Sequence, residues 1–301
     1  MTARALLLAG GTGTRLFPLT RTVSKHLLPV HDKPMIYYPL STLLSLGVRD
    51  ILIVTAPPHI AAYRRLLGDG RQWGVSLTYA VQAHPDGIAR TLVLGERFIA
   101  DRPVLMALGD NVFHGPLPAD FPGPGAGARL VSARVSDPRR YGVVESDRTG
   151  RVLSVQEKPD RPRSPHAVTG LYHFDANAVA IARDLRPATR GEVEITSLHR
   201  RYLDRGTLTV SPLPAGTAWI DAGTFDDLER AARYVAAVQR RCGIRVGCVE
   251  EAAWQAGLID DDQLVRLAAE PRARRYRDYL LAILSPGPVT RPVTGSGRQR
   301  L

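Results

Sequence analysis

Three glycines and two cations near the start of the chain form a pattern that could bind a triphosphate. The apolar run Leu6–Ala9 leads into Gly10–Arg15, and Lys25 follows ten residues after Arg15. Glycine backbone can approach an anion closely because no Cβ atom intervenes, and its N–H groups can donate to phosphate oxygens. The run lacks the Gly-Lys-Ser/Thr of a P-loop, and Leu16 stands where a dinucleotide fingerprint has its third glycine. We therefore expect a phosphate cradle of another kind; the alternative is a plain glycine-rich turn.

Two aspartates that follow apolar runs could hold a divalent cation. Asp110 comes after Val104–Leu108 and a glycine, and Asp221 ends the run Trp219–Asp221 just before a glycine turn. Magnesium is usually held by one or two carboxylates together with substrate phosphates. The pair predicts a Mg²⁺ site beside the cradle, although either aspartate alone could serve as a helix cap or a turn former.

Further polar residues suit a sugar phosphate. Glu157 and Lys158 end another apolar run, where the lysine could meet a second phosphate and the glutamate could accept hydrogen bonds from sugar hydroxyls. Tyr141–Gly142, Thr169–Tyr172 and Arg190–Thr196 add hydroxyls, carboxylates and glycines of the kind that line polyol sites. The alternatives are a surface ion pair for Glu157 with Lys158 and a core position for Tyr172.

Strand and helix patterns place these residues in an α/β fold. Apolar runs typical of strands alternate with helical segments, one of which is Pro39–Leu46. The alternation predicts a mostly parallel sheet with helices on both faces, and ligands of such sheets bind outside the carboxyl ends of the strands. The glycine loop and Asp110 each follow a strand and should therefore meet in space. The predicted strands of this half are Ala5–Ala9, Asp50–Thr55, Leu77–Val81 and Val104–Leu108.

The second half of the chain predicts strands that complete the cleft, followed by helices. These strands are expected to be antiparallel additions that form the other wall. Their predicted ranges are Leu130–Val135, Gly142–Glu145, Val152–Glu157 and Val168–Phe174. Residues 1–224 then form the catalytic domain, 225–285 a C-terminal helical extension, and 286–301, rich in Gly, Pro, Ser, Thr and Arg, a disordered tail.

Composition narrows the class of protein. The 301 residues are 44% hydrophobic and carry 40 Lys and Arg against 29 Asp and Glu, a formal charge of +11. The arginines are scattered and do not interleave with aromatic residues, so we expect no nucleic-acid partner. No run reaches the roughly 18–20 apolar residues of a membrane span. No secretion signal opens the chain either, so we expect no membrane partner and a cytoplasmic location. Cys242 and Cys248 match no zinc or disulfide pattern and should be reduced packing thiols.

Taken in order, the motifs resemble those of glucose-1-phosphate thymidylyltransferases from about residue 3 to about residue 283. The matching runs are Leu8–Leu16, Ser24–Lys25, Lys33–Leu40, Leu66–Gly70, Pro85–Gly87, Leu108–Asn111, Tyr141–Glu145, Glu157–Pro159, Val168–Tyr172 and Gly191–Glu192. The resemblance implies a Rossmann-like sugar-nucleotidyltransferase fold and a homotetramer. It also implies that dTTP and glucose 1-phosphate condense to dTDP-glucose and pyrophosphate.

The resemblance further implies a role for individual residues. The catalytic cations would be Arg15, Lys25 and Lys158, and the Mg²⁺ ligands Asp110 and Asp221. The nucleotide would be bound by Gly10, Gly11, Thr12, Gly13, Arg15, His26, Gln82, Gly87 and Asp110. The sugar phosphate would be bound by Tyr141, Gly142, Glu157, Lys158, Val168, Arg190 and Thr196. Cations suit this reaction because the attacking phosphate is already an anion, so that repulsion between phosphates is the main barrier.

Two departures from the family pattern concern the nucleoside pocket. His26 stands where glutamine is usual, and Arg90–Thr91 where Gln-Ala is common. A neutral imidazole has a single donor and arginine brings a fixed charge, so His26 is either neutral packing or a selector of another base or ribose. The alternative function is therefore the same reaction with another NTP or sugar 1-phosphate. A non-catalytic nucleotide-sugar sensor is less favoured, because binding alone would not need both metal acids. Gly115–Phe121 also lacks the histidine pattern of the family's feedback site, which favours an unregulated protein.

Overall fold

The chain folds around a mixed sheet whose parallel centre carries the glycine loop. The computed structural model describes residues 3–123, 126–187, 191–269 and 274–285. Its strands are β1 (Arg4–Ala9), β2 (Pro29–Val30), β3 (Lys33–Pro34), β4 (Asp50–Thr55), β5 (Ser76–Val81), β6 (Val104–Leu108), β7 (Asn111–His114), β8 (Ala128–Arg134), β9 (Gly142–Ser146), β10 (Val152–Glu157), β11 (His166–Phe174), β12 (Leu208–Pro212) and β13 (Ala218–Asp221). Its helices are α1 (Tyr37–Ser45), α2 (Ile60–Leu67), α3 (Arg90–Leu94), α4 (Glu96–Ile99), α5 (Ala178–Asp184), α6 (Ile195–Asp204), α7 (Phe225–Cys242), α8 (Val249–Gln255), α9 (Asp261–Ala269) and α10 (Arg274–Ala282).

Within these residues, nine strands form one sheet in the order β10-β9-β11-β6-β1-β4-β5, with β8 paired to β11 and β12 to β8. Strands β6, β1, β4 and β5 are parallel, which confirms the predicted α/β sheet. The added strands β8 to β11 pair antiparallel, as predicted, whereas β12 joins β8 in parallel and was not predicted. A separate antiparallel pair, β7 with β13, lies beside the sheet.

Helices cover both faces of the parallel centre. Leu7 of β1 packs in a core with Leu43 of α1 and Ala253 of α8, whereas its neighbour Leu6 packs in a second core with Leu92 of α3. Successive strand residues point to opposite faces. Because both faces are buried, β1 has a continuous apolar run rather than an alternating one.

Most predicted elements lie close to the observed ones. Three predicted strands coincide with β4, β6 and β10, and the others differ from β1, β5, β8, β9 and β11 by at most two residues at either end. The predicted helix Pro39–Leu46 is α1. The short strand β7 was missed because a two-residue turn alone separates it from β6.

The C-terminal residues are helical, as predicted. Helix α8 packs against α1, and Val249 shares a core with Leu40, so these helices complete the core of the preceding residues. The division at residue 224 therefore stays a prediction. Cys242 and Cys248 are both free thiols, as predicted; Cys248 is buried in the core, but Cys242 is exposed, so the packing role predicted for Cys242 was wrong. The predicted tail 286–301 lies outside the described residues. Across the described ranges, no helix combines the length and apolarity needed to cross a membrane.

Candidate active site

A cleft of about 170 Å³ opens at the carboxyl ends of the parallel strands, where the sequence predicts it. Its lining includes Gly10 and Gly11 after β1, Gln82 after β5, and Asp110 after β6. Lys25 and His26 line it from the segment between β1 and β2. The first turn of the chain, the predicted metal acid and part of the predicted nucleoside pocket therefore share one cavity.

The glycine loop has the backbone conformation that its residues permit. Gly11 and Gly13 have φ values of 93° and 63°, which favour glycine. Thr20 fixes the loop by donating from Oγ1 to the carbonyl of Gly13 at 2.8 Å. The chain then enters a single 3-10 turn, Thr14–Leu16, rather than an α-helix. Thr12 and Arg15 are exposed beside the cleft.

Lys25 and Asp110 form an ion pair at the floor of the cleft. The Nζ atom of Lys25 contacts Oδ2 of Asp110, and Nδ2 of Asn111 donates to Oδ1 at 2.9 Å. Asp110 is only 8% exposed. Burial by itself would raise the pKa of Asp110, but the ammonium of Lys25 and these hydrogen bonds outweigh it and hold that pKa below its usual value. The carboxylate is therefore charged at neutral pH.

Asp221 is brought to the same place by the pairing of β13 with β7. Asp221 lies opposite Asn111 in that register, and the N–H of Ala222 donates to the carbonyl of Asp110 at 2.9 Å. Burial, followed by the negative charge of Asp110, raises the pKa of Asp221 above its usual value. Arg15 approaches from the other side, since a Cβ atom on Gly223 would stand 3.0 Å from both Arg15 Nη2 and Asp221 Oδ1.

The two aspartates fit a magnesium ion. They repel each other, as the raised pKa of Asp221 reflects, and a divalent cation between them would remove that repulsion. Among the described residues, no group of three or more His, Cys, Asp or Glu side chains could hold a metal. A pair of carboxylates leaves coordination positions for phosphate oxygens, which is how magnesium is commonly held.

The predicted sugar-phosphate residues form a second cluster, the sugar-phosphate wall, beyond the lining of that cavity. Thr196 Oγ1 donates to Oε2 of Glu157. A Cβ atom on Gly142 would stand 3.7 Å from both Thr196 Oγ1 and the Cβ of Val168, and 3.8 Å from Oε2 of Glu157. Glu157, Gly142, Val168 and Thr196 are therefore neighbours, although they come from three strands and a helix.

Lys158 and Tyr141 complete this wall. The N–H of Lys158 donates to the carbonyl of Tyr141 at 3.0 Å, and its Nζ lies 3.6 Å from Oε1 of Glu157. Glu157 and Lys158 therefore form the ion pair that the sequence analysis gave as the alternative, and this pair lies within the sugar-phosphate wall. Tyr172 is a buried core residue, as its alternative reading held. Arg190 lies outside the described residues.

The side of the cleft predicted to bind the nucleoside, the nucleoside wall, is shaped by backbone contacts. Gln82 Nε2 donates to the carbonyl of Gly87 at 3.3 Å. Gly87 has φ 102°, and a Cβ atom there would stand 2.4 Å from the carbonyl oxygen of Val193. The N–H of Val193 in turn donates to the carbonyl of Asp86 at 2.7 Å, which fixes this loop against a distant segment.

The two departures from the family pattern have different positions. His26 lines the cleft, is 2% exposed, and has its Nδ1 atom 3.3 Å from Ser24 Oγ. Burial, with the charge of Lys25, lowers the pKa of His26 to about 3, so the imidazole is neutral. Arg90 begins α3 and does not line the cleft, whereas Thr91 does.

Asn111 is a central residue to which the sequence assigned no role. Its Oδ1 atom accepts from the N–H of Gly170 at 2.9 Å and from Nε1 of Trp219 at 2.5 Å, while its Nδ2 supports Asp110. The Trp219 ring lies 5.2 Å from that of Tyr141 between centroids. The only signal in the sequence was its position directly after Asp110.

Comparison with known proteins agrees with this geometry. A family model described as "Nucleotidyl transferase" matches residues 4–238. A glucose-1-phosphate thymidylyltransferase of Actinoplanes sp. is 52% identical over 290 residues, covering 94% of this chain and 95% of its own. One of Mycobacterium tuberculosis is 46% identical over 290 residues, covering 93% and 99%.

Solved structures show the same architecture. A chain from Bacillus anthracis, assigned the same activity by its name and crystallised with sucrose, superposes with a TM-score of 0.73 at 38% identity, covering 77% of this chain and 95% of its own. A UDP-glucose pyrophosphorylase bound to UDP-glucose superposes with a TM-score of 0.67 at 22% identity, covering 79% and 99%. The second likeness shows the fold alone.

Proposed function

The chain belongs to the nucleotidyl transferase family, and on that premise we propose that it condenses dTTP with glucose 1-phosphate to give dTDP-glucose and pyrophosphate. Relatives that are 46–52% identical to this chain over nearly their whole length are named for that reaction. The observation that carries the proposal is the meeting of Lys25, Asp110 and Asp221 beside the glycine loop. A sensor would need neither a cation at the site of phosphate transfer nor two adjacent carboxylates.

The proposed reaction is an in-line displacement at phosphorus. An oxygen of the sugar 1-phosphate attacks the α-phosphorus, the bond to the bridging oxygen breaks, and pyrophosphate leaves with that electron pair. The nucleophile is already ionised, so no side chain has to remove a proton. The protein has to bring two anions together and stabilise the charge that develops on the leaving group.

In this proposal, three cations would perform those tasks. Arg15 and the Gly10–Gly13 backbone would hold the triphosphate, and Lys25 would face the α-phosphate. Lys158 would hold the phosphate of the sugar. Asp110 and Asp221 would hold Mg²⁺, which when bound neutralises phosphate charge.

The two walls would then bind the rest of each substrate. Gln82 and Gly87 would contact the base, and Thr12 and His26 would lie along the nucleotide. On the other wall, the sugar phosphate would contact Tyr141, Gly142, Glu157, Lys158, Val168, Arg190 and Thr196. The neutral His26 in the lining supports a test of other nucleotides as alternative substrates. The cytoplasmic location and the homotetramer stay predictions.

The deciding experiment is pyrophosphate release measured over a panel of NTPs and sugar 1-phosphates, with and without Mg²⁺. We expect dTTP with glucose 1-phosphate to give the highest kcat/KM, and chelation of the metal to abolish turnover until Mg²⁺ is restored. A higher kcat/KM with another pair would establish the alternative substrate. If no pair of substrates gave pyrophosphate release although nucleotides bound, the result would favour a non-catalytic nucleotide-sugar sensor.

A further inference from the structure

A buried carboxylate outside the cleft joins two segments that carry the site. Asp227, in the first turn of α7, is only 2% exposed. It contacts the guanidinium of Arg140, forms an ion pair with Arg230 at 2.9 Å, and accepts from Thr224 Oγ1 at 2.7 Å. Two cations and a hydroxyl therefore meet on one buried acid.

Each end of this contact adjoins a part of the site. Arg140 directly precedes Tyr141, and its guanidinium lies 5.8 Å from the centroid of the Tyr141 ring. Thr224 follows Asp221 by three residues and caps α7, accepting from the N–H of Asp227 at 3.3 Å. The Arg140–Asp227 contact thus links the turn that precedes Tyr141 to the segment that follows Asp221.

We propose that Arg140 and Asp227 are positioning residues that hold the sugar-phosphate wall at its distance from Asp221. The inference rests on the proposed function and goes beyond it, because neither Arg140 nor Asp227 is among the residues predicted to bind a substrate. Besides this contact, the packing of Tyr141, which follows the turn Pro138–Arg140, on Trp219 of β13 joins the same two regions.

The chain offers a matched control on the same carboxylate. Arg230 also pairs with Asp227, but it lies three residues further along α7, and among the described residues its ion pair stays within that helix. Loss of Arg230 therefore removes a positive charge from Asp227 and leaves the link between the two turns intact. A role in charge balance alone would make the two arginines equivalent, whereas a positioning role would not.

The test measures KM for both substrates by pyrophosphate release in Arg140→Met, Asp227→Asn, Arg230→Met and the double variant of the first two. We expect Arg140→Met and Asp227→Asn each to raise KM for glucose 1-phosphate by about ten-fold, the scale of one charge-assisted contact. KM for dTTP should change less than about two-fold, and Arg230→Met should change neither by more than that. The double variant should be no worse than the worse single one, because both changes break one contact.

Several outcomes would overturn the inference. An equal rise in Arg230→Met would mean charge balance, and an equal rise in both KM values would mean general loosening of the fold. An unchanged Asp227→Asn would leave Arg140 to act directly on substrate. Asparagine has the shape of aspartate and still accepts from Thr224, so this variant decides the matter even where Arg140→Met does not fold. An inactive wild-type protein would overturn the proposed function instead.

Discussion

The nucleoside wall and the sugar-phosphate wall are built in different ways. The nucleoside wall rests on backbone geometry, with positive φ at Gly11 and Gly87 and a main-chain hydrogen bond from Val193 to Asp86. The sugar-phosphate wall rests on side chains that meet across long stretches of sequence. Its pairs are Thr196 with Glu157, Trp219 with Asn111, and Arg140 with Asp227.

This difference predicts how each wall responds to substitution. A wall made by backbone should tolerate loss of many side chains but not the addition of a Cβ atom at a close approach. A wall made by side-chain pairs should weaken by the loss of single hydrogen bonds, each contributing about 0.5–1.5 kcal/mol. Changes between the walls should impair both substrates alike.

The largest effect is expected at the junction of the walls. Lys25→Ala removes the cation that contacts Asp110, and we expect kcat to fall about 10²-fold or more, the scale of one lost transition-state contact. Pyrophosphate release at saturating substrates measures it. Lys33→Ala is the control, since the buried Lys33 pairs with the exposed Asp32 at 2.6 Å outside the cleft. Near-normal turnover in Lys25→Ala, or an equal loss in Lys33→Ala, would contradict the catalytic role.

The next effect tests the backbone wall. Gly87→Ala would place a Cβ atom 2.4 Å from the Val193 carbonyl, and its φ of 102° is unfavourable for alanine, so the loop must move. We expect KM for dTTP to rise about ten-fold or more, while KM for glucose 1-phosphate stays within about two-fold. Gly150→Ala shares a positive φ but meets no atom within 4 Å. It should lower stability by about 1 kcal/mol and leave both KM values unchanged. A normal KM for dTTP in Gly87→Ala would mean that the loop does not shape the pocket.

The nucleoside wall could largely be predicted from the sequence, for a physical reason. Its residues follow adjacent parallel strands, and such strand ends meet at one edge of a sheet whatever the side chains do. The position of Asp110 beside the glycine loop needed only the strand pattern of β1 and β6. Arg90 shows the limit of this reasoning: helix α3 exposes Thr91 to the cleft instead, and a one-residue difference on a helix turns the side chain by 100°.

The other wall required more than local pattern. The antiparallel strands were predicted, but Asp221 reaches Asp110 through the register of β13 on β7, and β7 is too short to show a period. Asn111 and Arg140 act through partners 108 and 87 residues away. Spacing alone carries no information about such partners, so residue types together with the resemblance to a family supplied the candidate residues of this wall, and the structure supplied their contacts.

Acid should act on the buried His199 of α6, the helix that carries Thr196. Neither of its ring nitrogens has a hydrogen-bond partner within the part of the chain that the structure describes, and burial lowers the pKa of His199 to about 3. The unfolded chain binds a proton near pH 6.5 and the folded one does not, so stability is complete above pH 6.5 and falls as the pH drops toward 3. At pH 5 the loss from this residue is about 2 kcal/mol.

His199→Phe should remove that part of the acid sensitivity, because phenylalanine can stack on Phe174 and has no proton to gain. Urea unfolding at pH 7 and pH 5 measures the difference. We expect the loss of unfolding free energy between these pH values to be smaller than in wild type by about 2 kcal/mol. The pKa of His26 on the nucleoside wall is also lowered to about 3, so the contribution of His26 to the acid sensitivity remains in this variant. An undiminished loss in His199→Phe would contradict a neutral buried imidazole at this position.

The smallest effect tests a single side-chain pair of the sugar-phosphate wall. Thr196→Val keeps the shape of the residue but removes the hydroxyl that donates to Glu157, so this carboxylate loses a partner that fixes its orientation. We expect KM for glucose 1-phosphate to rise about five-fold with KM for dTTP unchanged, as one hydrogen bond of about 1 kcal/mol allows. Ser154 lies on β10 with Glu157, and Ser154→Ala removes a similar bond, 2.7 Å long, to Glu145 on β9, outside the residues assigned to the sugar. If both variants raised KM equally, the effect would belong to the strand rather than to Glu157. If Thr196→Val instead raised KM for dTTP, the division of the cleft into a backbone wall and a side-chain wall would be wrong, because the side-chain pair would then serve the nucleotide.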